Sequence, residues 1–245
     1  MADKPLSDAA KNNSEMMNPA SVASSERRDG GVKALFLGNS ITLHPPYAVI
    51  GWTNNWGMAA SAIEKDYVHL VVRGIERETG RQVDLRVRNI GTFERNFETW
   101  DAARELAAEI AFEPDYLVVA LGENVKDLGD EASRLRWEKA FKRMVGCFLS
   151  GERRPRVVVR GVFWPNGWKD AAMESAARDC GVPFVRADFG NDSSMKAVGL
   201  FAHAGVQMHP GDRGMAEIAA RILETLFPKT ISTERLQELK GRTVK

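Results

Sequence analysis

The sequence predicts an α/β domain built on a five-stranded parallel sheet with helices on both faces. Short apolar runs alternate along the chain with stretches of helical periodicity, the pattern of repeated strand–helix units. The runs VKALFL, YLVVAL and VVVRGVF are apolar almost throughout, as strands covered on both faces are. Residues able to do chemistry follow these runs directly, where open α/β sheets place their crevice.

Taken in order, residues 32–37 form the first strand, ending at Gly38, and a Trp- and Asn-rich loop spans 51–57. Residues 58–78 are expected to be helical, with Met58, Ala62, Ile63, Tyr67, Leu70 and Val71 on one side and Gly80 as the stop. The alternation over 83–89 marks a second strand near a sheet edge. A second helix is expected over 97–112, ended before Pro114. Strand 116–121 runs into Gly122, and a third helix covers 131–149. Strand 157–163 is closed by Pro165, and helix 170–179 is stopped at Gly181. A short fifth strand spans 183–187. The last helix, over 212–227, turns Met215, Ile218, Ala219, Ile222 and Leu226 inward.

The ends differ from this body. Residues 1–31 are rich in Ser, Asn, Ala and charge and bury too little to order themselves, so a disordered arm is expected, with the folded domain over 32–229 and a polar tail over 230–245. The arm lacks the apolar core of a signal peptide and no stretch approaches eighteen apolar residues, so the cytoplasm is the default expectation and no membrane partner is expected.

Composition narrows the function. Lys plus Arg number 34 against 33 Asp plus Glu, which excludes a generally basic nucleic-acid surface. Two cysteines cannot build a disulfide framework or a Cys-rich zinc site, and H-E-x-x-H, C-x-x-C and phosphate-loop patterns are missing. No cofactor and no metal are expected.

The residues at the strand ends suggest acyl transfer. Ser40 can be a nucleophile, with His209, before Pro210 and the last helix, as the base that takes its proton. The tetrahedral intermediate needs donors fixed before reaction. The Ser40 N–H, the Gly91 N–H and the Asn124 side-chain amide are the candidates, with Gly122 a turn glycine beside them. Glu123, a polar neighbour of this group, and His44, four residues beyond Ser40, are candidate substrate contacts. Trp52, Trp56, Trp164 and Trp168 fall in loops at the same edge, where they either pack the loops or offer a platform to a sugar ring or acyl group. Trp100 and Trp137 fall on helices and read as packing, and Asp212 reads as a first-turn acid.

Four blocks in order, Gly38-Asn39-Ser40-Ile41, Gly91, Gly122-Glu123-Asn124 and His209-Pro210, resemble those of the SGNH hydrolases, also called the GDSL esterase/lipase superfamily. The resemblance spans roughly residues 33–227. It implies a flavodoxin-like three-layer α/β/α sandwich and metal-free ester hydrolysis. The expected substrate is a small-molecule ester with a small acyl group such as acetyl, an acetylated carbohydrate being one reading. Two departures stand out. Asn39 replaces the usual Asp beside the nucleophile, and Val206 stands where the family carries an Asp three residues before its His. Three outcomes are open for the imidazole. A backbone carbonyl near Val206 or Gln207 holds Nδ1–H, or another acid (Asp188, Asp192 or Asp212) folds in, or catalysis is weak. The last leaves a carbohydrate-binding member of the fold without activity as the competing expectation. A nucleotide- or phosphate-binding module is disfavoured, because no Gly-rich phosphate loop is present.

Overall fold

The structure, a computed structural model, describes residues 31–126 and 128–228. The expected arm over 1–31, Gly31 excepted, and the tail over 230–245 lie outside them. Five strands, β1 (Val32–Gly38), β2 (Val83–Asn89), β3 (Tyr116–Ala120), β4 (Arg156–Arg160) and β5 (Phe184–Val185), form one sheet in the order β2-β1-β3-β4-β5. Every pairing is parallel. Among the described residues, the α-helices are α1 (Tyr67–Thr79), α2 (Gly91–Asn96), α3 (Ala102–Glu105), α4 (Ala107–Ala111), α5 (Glu131–Leu149), α6 (Gly167–Asp179), α7 (Ala204–Gln207) and α8 (Asp212–Leu226).

Strand alternation divides the core in two. Ala34, Phe36, Val118 and Val158 face a cluster with Val68, Val71 and Ile75 of α1 and Ile218, Ile222 and Leu223 of α8. Leu35, Leu37, Val119 and Val159 face the other cluster, with Phe141, Met144 and Val145 of α5 and Met173 and Ala176 of α6. The molecule is therefore a three-layer α/β/α sandwich, and the sheet order is the flavodoxin-like one. β2 is an edge strand, as its mixed pattern foretold.

Two expected helices are corrected. The first begins at Tyr67, not Met58, because the buried Asp66 carboxylate accepts the His69 N–H and fixes the start there. Met58 and Ala59 instead join a third apolar cluster with Trp52, Ala197 and Val206, and Ala59 has φ 75°. Gly80 does end this helix, at φ 67°. The expected helix 97–112 is replaced by α3 and α4. Asp101 caps α3 by accepting the Arg104 N–H, while Phe97 and Trp100 leave the helix to pack on Phe93 and Trp137. Ring packing outweighs weak helical propensity there.

The register carries the site. Asn89, Gly38, Ala120, Arg160 and Val185 form one row across the carboxyl edge of the sheet. The residues that follow them emerge at the same height. The crossing from β1 to β3 is the topological switch point, so Asn39-Ser40 and Gly122-Glu123-Asn124 flank one crevice.

Candidate active site

Ser40 is half-buried in the turn after β1. Close approach explains the glycine before it: a Cβ on Gly38 would lie 1.8 Å from Thr42 Oγ1 and 2.9 Å from the Ala120 carbonyl. From the far end of the chain, the short helix α7 and Pro210 bring His209 back over this turn. Ser40 Oγ and His209 Nε2 are 2.9 Å apart across 169 residues of sequence.

The other imidazole nitrogen settles the tautomer. His209 Nδ1 lies 2.8 Å from the Gly205 carbonyl oxygen, which can only accept. Nδ1 therefore carries the proton, and Nε2 is left with a lone pair for the Ser40 hydroxyl. The acceptor is a backbone carbonyl, that of Gly205 rather than of Val206 or Gln207. Val206 is buried in the cluster with Trp52 and Met58. Asp212 is engaged elsewhere, accepting from the Ser61 N–H, Ser61 Oγ and Lys65 Nζ, and Asp192 accepts from Ser194. Burial holds the His209 pKa below the ordinary histidine value; the Gly205 carbonyl offsets this in part and nearby His44 adds to it. At neutral pH the ring is an uncharged base.

Beneath the pair lies a buried polar cluster. Glu94, on α2 and fully buried, accepts from Asn39 Nδ2 (3.0 Å), the Gly122 N–H (2.5 Å), the Asn124 N–H (3.3 Å) and Asn124 Nδ2 (2.6 Å). Glu123 accepts from Asn39 Nδ2 (2.6 Å), Arg160 Nη1 (2.6 Å) and the Phe163 N–H (3.0 Å). The Asn39 amide thus bridges two carboxylates, while its Oδ1 accepts the Ile41 N–H. Burial and the neighbouring Glu123 raise the Glu94 pKa. Burial pushes Glu123 the same way, but the Arg160 guanidinium and its hydrogen bond prevail and hold it low. Among the described residues, Arg160 Nε and Nη2 are buried with no protein partner.

The remaining expected site residues divide. The Gly91 N–H donates to Asn89 Oδ1 at 2.9 Å, so it is already engaged. Asn124 spends one amide hydrogen on Glu94 and keeps the other. Trp164 meets the His209 ring edge-on at 5.3 Å. His44 is held by the Pro45 carbonyl through Nδ1, and burial lowers its pKa. Trp52 is 1% exposed, packed on Trp56 and Phe201, with its Nε1–H on the His44 carbonyl. Its ring holds the loop and offers no open face. Trp56 is half-buried beside it, donating to the Ala60 carbonyl. Trp168 lies in the first turn of α6, 47% exposed. Glu94, Arg160 and Gly205 escaped the sequence reading. Arg160 had a signal, a charge interrupting the apolar run VVVRGVF; Glu94 and the Gly205 carbonyl had none.

Among the described residues, no group of three or more His, Cys, Asp or Glu is placed to hold a metal ion, and no helix is long and apolar enough to cross a membrane.

No protein-family model and no curated protein matches the chain. Solved structures do. An α/β hydrolase enzyme from the metagenome of Lake Arreo, Spain, is 19% identical, with a TM-score of 0.54 over 80% of this chain and 95% of that one. A putative GDSL-like lipase from Bacteroides uniformis is 16% identical, with a TM-score of 0.52 over 82% and 97%. A catalytic mutant of an acetylxylan esterase from Geobacillus stearothermophilus is 17% identical, with a TM-score of 0.50 over 83% and 97%. Sheet order, layers and these likenesses agree: the chain has a three-layer α/β/α fold, shared with these solved hydrolases.

Proposed function

We propose that the protein is a serine esterase working through a Ser40–His209 dyad. One observation carries the reading: Nε2 of an imidazole whose tautomer is fixed by the Gly205 carbonyl sits 2.9 Å from Ser40 Oγ. In this reading His209 takes the Ser40 proton as Oγ attacks the ester carbonyl, then returns it to the leaving alcohol. Water repeats the cycle on the acyl-enzyme. The oxyanion is met by the Ser40 N–H and the second Asn124 amide hydrogen; the Gly91 N–H joins them only by leaving Asn89. A small acyl group such as acetyl fits the reading, with an acetylated carbohydrate as the substrate class and Trp164, whose ring meets that of His209, as an aromatic neighbour of the dyad.

Hydrolysis of p-nitrophenyl acetate tests this directly. Ser40→Ala is expected to lower kcat/KM by at least about 10⁴-fold, nucleophile deletion in a serine hydrolase costing on the order of 10⁶-fold in kcat. Equal rates for the two proteins would overturn the esterase reading. They would favour instead a binding protein that kept the fold, an alternative motivated by Val206 in place of an acid.

A further inference from the structure

We infer that Glu94 is a positioning residue for this chemistry, its buried carboxylate setting the Ser40 turn through Asn39 and orienting the Asn124 amide. The inference rests on the esterase reading and adds a residue to it.

Among the described residues, the Glu94 carboxylate is hydrogen-bonded to the strand ends that form the crevice. Oε1 gathers Asn39 Nδ2, the Gly122 N–H and the Asn124 N–H, and Oε2 takes Asn124 Nδ2. One carboxylate thereby ties the residue before the nucleophile to the residue carrying the candidate oxyanion amide, across the β1–β3 switch point. Gly122 shares this constraint. Its φ of 118° suits glycine alone, and a Cβ there would meet Val162 Cγ1 at 2.7 Å.

The cluster also explains the departure at position 39. An Asp there would set a third carboxylate against Glu94 and Glu123. An amide can donate to both acids and still accept the Ile41 N–H through Oδ1, which shapes the turn holding Ser40.

Glu94→Gln keeps size and removes the charge. Because Oε1 faces three donors, the new NH₂ is expected to take the Oε2 position, donor against donor with Asn124 Nδ2. The amide then turns, and a transition-state donor is misplaced while substrate binding is little affected. With p-nitrophenyl acetate, kcat should fall by about 100-fold, the scale of losing one oxyanion donor, with KM within about 3-fold. Glu94→Asp, which keeps the carboxylate, should recover at least about 10-fold of that loss, and both variants should show a folded far-UV circular dichroism spectrum. A folded Glu94→Gln protein with kcat within about 3-fold of wild type overturns the inference. If Glu94→Gln does not fold, Glu94→Asp decides alone, its withdrawn carboxylate lowering kcat without raising KM; an unchanged kcat, or a loss confined to KM, overturns it. Ser40→Ala, run alongside, separates the two readings. Activity that needs Ser40 but is indifferent to Glu94 removes this inference only, whereas activity indifferent to Ser40 removes both.

Discussion

His209 shows how much one side chain depends on what surrounds it. Burial disfavours the imidazolium, so its pKa lies below the ordinary 6.5 of histidine. The base works neutral, so kcat/KM should rise with pH through a limb centred below 6.5 and then stay level into the weakly alkaline range. A pH–rate profile on a neutral ester checks this, and a midpoint above 7 would mean that a carboxylate, not a carbonyl, faces Nδ1. The same sign governs stability: as pH falls below 6.5 the unfolded chain takes a proton that the folded site resists, and the folded state loses ground. Ser40, His209, Gly122 and Asn124 were legible in the sequence because glycines and strand ends frame them. Glu94 was not, because an acid on a polar helix face and an acid folded under a neighbouring loop look alike in one dimension. Trp52 misled for a related reason: a loop tryptophan can cover substrate or cover the core, and the burial that decides between them comes from Phe201, Ala197 and Val206, which lie far away in the chain.

At the scale of elements, caps did more than periodicity to place boundaries. α5 runs over the residues expected, 131–149, because Asp130 and Ser133 close its start with a capping box. α1 is shorter than its apolar stripe suggested because Asp66 intervenes. These two acids differ in burial, and so in what they stabilise. Asp130 is exposed and serves one helix end, so Asp130→Ala should cost about 1 kcal/mol. Asp66 is 1% exposed and accepts from the Gly57 N–H as well as from His69. Asp66→Ala should cost about 2–3 kcal/mol, since it removes a cap and strands a buried donor. Urea unfolding of both variants measures the difference, and equal costs would contradict it. Gly57 ties this to the site: a Cβ there would lie 2.6 Å from the Ile41 carbonyl, in the nucleophile's own turn.

For the whole molecule, strand order and charge distribution matter most. The strands were legible because a parallel sheet buried on both faces leaves an apolar record. The break-up of 97–112 was not, because it depends on Trp137 arriving from α5. The net charge is +1, and from Ala34 to Ile63 and again from Ala197 to Gly211 the chain carries no Asp, Glu, Lys or Arg. These two segments hold Ser40 and His209. With no charge in the two segments that hold the dyad, kcat/KM for a neutral ester should change by less than about 2-fold between low and high salt. A steep salt dependence would point to a charged substrate recognised from other loops.

The Gly205 carbonyl has one more consequence. An orienting carboxylate can be lost by a single substitution or neutralised by acid, but a peptide carbonyl belongs to every residue and does not titrate. Adding a side chain at Gly205 keeps the carbonyl itself, although a Cβ there would press on the His203 ring at 3.0 Å. Only a change of path in α7, such as an inserted or deleted residue between Phe201 and His209, can take it away. The weak point of this dyad is therefore loop length rather than residue identity.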